Sequence, residues 1–247
     1  MSPPPIAYNE SDPTHWLGNT AMLNLGDDKL RLRVKTVIQF SRTDPERLQC
    51  IARYVAAIPF NVPAFAGMKR TRKTLRQRRA VGWYSKAALF MAMLRVASVP
   101  ARVRMIRVPP ELFRGLVNTR FRVELPVVEV WSQHRWVVTD SYLYDPSYLA
   151  TAREALTEKD WPMGYGIHRN GQSDWNGVDD ALVMIIPDRS RSDRPAQYLG
   201  VYDDPQAFAA QMRRRSFFRW WFTLVRNRLL SIRMNISIRR LRRDAGG

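Results

Sequence analysis

Two residue types that carry much of enzyme chemistry are scarce in this chain. Its 247 residues include one cysteine, Cys50, and three histidines, His15, His134 and His168. A single cysteine excludes an internal disulfide framework and a thiolate zinc centre. The histidines are too far apart for metal-ligand spacing, so neither a metal nor a cofactor is expected. No uncharged apolar run reaches the roughly 18 residues that a bilayer-spanning helix needs. The opening MSPPPIAYNESD has neither the basic nor the apolar region of a secretory signal. The expected location is cytoplasmic, at most peripheral to the inner face of a membrane. Acidic residues are also short, 22 against 40 lysines and arginines, for a net charge of +18. The excess is local. Eleven arginines and no acid lie between Met212 and Arg243, so whatever meets that segment is anionic.

What is present suits a core of generous size, with 45% apolar residues, eight tryptophans, nine tyrosines and ten phenylalanines. Residues 1–29 read as a proline-rich N-terminal arm, 30–205 as the folded domain, and 206–247 as an Arg/Trp-rich helical tail. Around Leu25–Thr43 the pattern is mixed and suggests a short helix. TDPERLQCIARYVAAIPF is clearer: Thr43 or Asp44 can cap, Pro45 fits the first turn, and Leu48, Ile51, Val55 and Ile58 recur at helical spacing. Cys50 sits beside that stripe as a small hydrophobe. Residues 84–97, YSKAALFMAMLRVA, read as a helix apolar nearly all round and deeply buried. Pro100 ends it and ARVRMIRV follows as a strand. RFRVELPVVEVW and VVTDSY then form a hairpin with His134 near its tip, where Pro126 implies an edge or a bulge. A loop-rich stretch follows, then LVMIIP as a last strand.

The order of a glycine turn, a buried helix, a Pro-Ala-Arg exit and a Trp-x-x-x-Asp hairpin resembles the transglutaminase-like superfamily of papain-type folds. The residues that carry the resemblance are Gly82-Trp83-Tyr84-Ser85-Lys86-Ala87, Ser98-Val99-Pro100-Ala101-Arg102, Leu125 through Glu129, and Trp136 through Asp140. A later Asn176–Leu182 segment with Tyr198 and Gly200 is similar to a bacterial subgroup. The fold class implied is α+β, with helices on an antiparallel sheet and a basic amphipathic C-terminal helix after it. The family's nucleophile is a cysteine at a helix N-terminus, where the macrodipole and free N–H groups favour thiolate. A histidine accepts its proton and an aspartate orients the histidine. Matched residue by residue, the cysteine position is Tyr84, the histidine position is Leu125, and the aspartate is Asp140. A tyrosine of pKa near 10 is protonated at neutral pH, and leucine is no base.

Tyr84 therefore has two readings. It fills the old pocket and bonds Asp140 or a backbone group, or it is an acid or nucleophile activated by Lys86 or Arg102. In the second case Trp83, Lys86, Arg102, Glu129 and His168 would line the site, and acyl transfer or amide hydrolysis is the class that the resemblance implies. Lys86 is expected to snorkel or to pair with Glu129 or Asp140. His134 is expected to be exposed at its turn, and His168 to lie in a loop able to fold over the cleft.

On a helical wheel of the tail, Phe217, Trp221, Leu224, Val225, Ile232 and Ile236 share one broad face, opposite Arg215, Arg219, Arg226 and Arg233. With Arg213, Arg214, Arg239 and Arg240 these arginines form the candidate contact for an anionic surface. The alternatives are packing on the protein's own body or on a second copy, and nucleic acid, which ranks last for want of a recognised motif. The leading functional reading is a catalytically degenerate transglutaminase-like protein, a binding or scaffolding component for a partner protein or a membrane surface. An enzyme of altered chemistry using Tyr84 and Asp140 is the runner-up, followed by a membrane or nucleic-acid binder acting through the tail.

Overall fold

A computed structural model describes residues 12–62, 71, 74, 75, 82–184, 196–215 and 231–243. The N-terminal residues from 12 onward are not a loose arm. A short 3-10 turn, Pro13–Leu17, capped by the Asp12 carboxylate, carries Trp16 into the core, and Met22 and Leu23 are buried behind it. Helix α1, Asp28–Ile38, begins inside the expected arm because Asp27 caps it, its carboxylate accepting from Leu30 N–H. Helix α2, Asp44–Ala56, is capped by Thr43 and buries Leu48, Ile51, Ala52 and Val55. Cys50 is half-buried and meets only the Ser41 hydroxyl, at 3.5 Å.

Helix α3, Trp83–Val96, starts at Gly82 without a side-chain cap and is buried from Ser85 to Arg95 on every side. Each large apolar side chain taken fully inside contributes about 1.5 to 3 kcal/mol. This helix supplies Leu89, Phe90, Met91, Met93 and Leu94, all without exposed surface. It packs on the first two strands of a four-stranded antiparallel sheet. The strands are β1, Ala101–Val108; β2, Val123–Ser132; β3, Arg135–Thr139; and the late β6, Gln197–Tyr202, in the order β3-β2-β1-β6. Gln133 and His134 make the β2–β3 turn with positive φ at both, and His134 is exposed, as its position at the tip implies.

Pro126 lies within β2, a central strand, opposite Met105. Its missing N–H is tolerated because β3 pairs only from Val128 to Ser132, so no ladder with β3 reaches position 126. The bulge occurs instead between Met105 and Ile106 in the pairing of β1 with β6. Two further elements depart from expectation. The part of LVMIIP that is described, up to Met184, forms no strand. Ala181 makes one bridge to Thr139, and the fourth strand is β6. A fourth helix, α4, Pro146–Glu158, stands where a loop is expected, with Asp145 as its cap. The two-residue strands β4, Met163–Gly164, and β5, Ile167–His168, form a small hairpin beyond it.

After β6 come helix α5, Pro205–Arg215, and a helix of residues 231–243, here α6. Phe217, Arg219, Trp221, Leu224, Val225, Arg226 and Arg228 lie outside the described residues. Helix α6 packs on the domain, but not by the face that the wheel selects. Ser231, Met234, Ile238 and Leu241 are buried, while Ile232 and Ile236 are 47% and 46% exposed. The wheel assumed one continuous helix through the tail. The docking of α6 is instead decided by partners distant in sequence: the Asn235 amide donates to Val62 O at 2.6 Å and accepts from Val62 N–H at 3.0 Å, and the Ser237 hydroxyl donates to Leu116 O at 2.9 Å.

Candidate functional site

The site is built around the first turn of α3, where Tyr84 follows Gly82 and Trp83. The fold places the first two of the motif positions near each other. The Tyr84 hydroxyl donates to the Glu124 carbonyl at 2.8 Å, one residue before Leu125. Asp140 follows directly on β3, whose last residue, Thr139, pairs with Val128. Position 84 thus lies near position 125, and Asp140 is one residue beyond the β2–β3 ladder, which starts at Val128.

The side chains at those positions are committed elsewhere. The half-buried Tyr84 spends its only proton on a backbone carbonyl, and burial, aided by the Glu124 charge, holds its ionisation well above the ordinary tyrosine value. Leu125 is fully buried opposite Ile106. Asp140 is fully buried too, and its two oxygens accept from the N–H groups of Val183, at 2.5 Å, and Met184, at 3.0 Å. Its own N–H donates to Ala181 O at 3.2 Å. Asp140 therefore clamps the 181–184 segment onto the end of β3. Desolvation raises its carboxyl to about 7, against the opposing pull of those two N–H bonds.

The flanking residues are held by separate sets of partners. Lys86 is fully buried and pairs with neither Glu129 nor Asp140. Its ammonium donates to the carbonyls of Ala56, at 3.2 Å, and Tyr142, at 3.5 Å. Burial lowers its pKa to about 7, Asp145 opposes that, and Arg242 adds to it. Glu129 lies four residues along β2 from Leu125, roughly 13 Å by strand rise, and is buried between Arg102 and Arg104. Arg102 in turn lies 4.0 Å over the Trp136 ring and 5.3 Å from that of Trp16. This cluster fixes the N-terminal turn to the sheet. The Trp83 indole donates to the Tyr144 hydroxyl at 3.0 Å, which donates to Gly166 O at 2.7 Å.

His168 belongs to β5, its N–H donating to Val183 O at 2.8 Å and its Nδ1 accepting from Asn170 N–H. Burial, then the Arg169 charge, lowers its pKa. A cavity of about 30 Å³, one water's worth, lies between α2 and Ser173–Trp175 and is not lined by Tyr84. Among the described residues, no group of His, Cys, Asp and Glu could hold a metal ion.

Two residues with no role in the sequence reading tie this region together. Asp145 caps α4 at Tyr148 N–H, accepts from Phe60 N–H at 2.7 Å and pairs with Arg242 of α6. The Asp-Pro step at 145–146 is a helix-start signal that could have located the cap. Nothing local marks Arg242 as its partner. Arg95 is the other. It is buried with a pKa lowered to about 10, and it donates to the carbonyls of Gly18, Ala101 and Asp203, joining three distant segments.

The model of the transglutaminase-like superfamily matches residues 33–141, the span that holds Tyr84, Leu125 and Asp140. Among curated proteins nothing matches the chain. The crystal structure of a candidate cysteine protease from Cytophaga hutchinsonii is similar over 52% of this chain, at 15% identity and a TM-score of 0.43. This chain covers 41% of that one. Residues 33–141, with helices packed on an antiparallel sheet, are thus similar to the transglutaminase-like superfamily, and that span holds all three motif positions.

Proposed function

We propose that the domain has lost the family's cysteine chemistry and serves as a binding or scaffolding component, brought to an anionic surface by its basic C-terminal segment. The observation that carries this reading is the 2.8 Å bond from the Tyr84 hydroxyl to the Glu124 carbonyl. A nucleophile must hand its proton to a base, and a backbone carbonyl is not one. Leu125 offers no replacement, and Asp140 has no histidine to orient. The eleven arginines between Met212 and Arg243 support the second half of the reading. The surface they suit is the anionic inner face of a membrane, with a partner protein or nucleic acid as other occupants.

The test is turnover of an activated glutaminyl or aryl ester with an amine acceptor. The expected result is a rate no higher than that of Tyr84→Phe. Turnover that Tyr84→Phe abolishes would overturn the proposal. One observation favours acyl chemistry of an altered kind: Asp140 titrates near neutrality and could exchange a proton there. That reading requires a rate that depends on pH around 7 and is lost in Asp140→Asn.

A further inference from the structure

The C-terminal helix α6 has two faces of different chemistry, and the fold determines which one is free. Its inner face is Ser231, Met234, Ile238 and Leu241, all buried. It is held by the Asn235–Val62 pair, by Ser237 on Leu116 O, and by Arg242 on Phe60 O and Asp145. These contacts fall on three separate loops, so the helix cannot roll without breaking several at once. The outer face is what remains. At 100° per residue, Arg239, Ile232, Arg243, Ile236, Arg240 and Arg233 fall within an arc of about 120°. All six are exposed, and every one is arginine or isoleucine. None of these four arginines forms an ion pair with another described residue.

We infer that this outer face of α6 is a docked platform that lies flat on an anionic lipid bilayer, with Ile232 and Ile236 entering the interface and the arginines holding headgroup phosphates. The inference rests on the reading that the basic segment meets an anionic surface, and adds which residues make the contact and how the domain is oriented. Charge complementarity selects the partner's sign. The isoleucines select lipid over nucleic acid: a phosphate backbone offers them nothing, and the face carries no aromatic ring on which a base could stack. A bilayer interface takes both, because arginine stems follow the apolar groups inward while their heads stay at the phosphates. A second copy of the same face would meet it with like charge.

The experiment is flotation of the full-length chain with vesicles of phosphatidylcholine and phosphatidylserine, against pure phosphatidylcholine vesicles and single-stranded DNA. Each arginine near an anionic surface accounts for roughly a fivefold change in affinity. The Arg239→Gln, Arg240→Gln, Arg243→Gln chain should therefore bind the mixed vesicles on the order of 100-fold more weakly. Ile232→Ser with Ile236→Ser should lower vesicle binding roughly tenfold while leaving its salt dependence unchanged. All five positions are exposed, so the unfolding midpoint should match that of the unaltered chain.

If the triple variant binds as the unaltered chain does, and Arg219→Gln with Arg226→Gln does not, the platform is wrong while the surface-binding reading stands. If the unaltered chain ignores mixed vesicles, that reading fails and takes the platform with it. If single-stranded DNA is bound through the arginines with no contribution from the isoleucines, the occupant is nucleic acid and the lipid assignment is overturned.

Discussion

At the first turn of α3 the polar groups that chemistry would need already have structural partners, while on the outer face of α6 four guanidinium groups are exposed without an ionic partner among the described residues. The first region is inside the molecule, where an unpaired polar group costs about 1 to 3 kcal/mol, so evolution of the site had to leave each group satisfied. Tyr84 has Glu124 O, Asp140 has two N–H groups, and Lys86 has two carbonyls. The second region is hydrated, and its charges bear no such cost.

The contrast can be broken by removing the buried partners one at a time, and the largest effect should come from Glu129→Ala. It leaves Arg102 buried beside Trp16 and Trp136 without a counter-charge, at a cost of about 3 to 5 kcal/mol in a urea titration. Asp140→Ala comes next, since it strands the N–H groups of Val183 and Met184 inside the protein. A loss of about 2 kcal/mol or more is expected, with hydrogen exchange at those two amides rising first.

The buried charges also set a pH profile. Asp140 rises on folding from an ordinary 3.8 to about 7, so it holds an extra proton in the folded state and its contribution to stability falls as pH climbs from about 4 to about 7. Lys86 drops from 10.5 to about 7, so the unfolded chain holds the extra proton and stability rises between about 7 and 10.5. Each limb has a slope of at most about 1.4 kcal/mol per pH unit. Denaturation across that range should show a minimum near neutrality, with Lys86→Met flattening the alkaline limb and Asp140→Asn the acid one. A profile unmoved by either substitution would mean that these groups titrate normally.

The smallest effect is expected at the motif residue itself. Tyr84→Phe loses one hydrogen bond to a carbonyl, about 1 kcal/mol, and should leave vesicle binding unchanged. That outcome separates the two regions most cleanly, because a rebuilt active site would make Tyr84 the most sensitive position of all.

Much of the fold could be read locally. The caps at Asp27, Thr43 and Asp145 are encoded within a few residues of the helices they start, although the sequence reading names only the one at Thr43. The continuous apolar character of 84–97 implies burial on all sides, and α3 is buried on all sides. Near the motif positions the structure shows one direct contact, from the Tyr84 hydroxyl to the carbonyl of Glu124, the residue before Leu125. What could not be read is who serves them. Glu124 offers its backbone, which has no residue-type signature, and the donors to Asp140 are amides 43 and 44 residues further on. Which face of α6 docks on the domain was hidden for a related reason. Alternating Ile and Arg suits either rotation of the helix, and only Val62, Leu116 and Asp145 choose between them.

The sequence alone determined that positions 84 and 125 hold a tyrosine and a leucine, because residue identity decides which groups can ionise near neutrality. It determined too that the C-terminal segment is strongly cationic, because charge is additive along a chain. Tertiary structure decided where the remaining polar groups spend their hydrogen bonds and which face of the last helix meets solvent. Those are choices between partners far apart in sequence, settled by packing and by the cost of leaving a buried polar group unpaired.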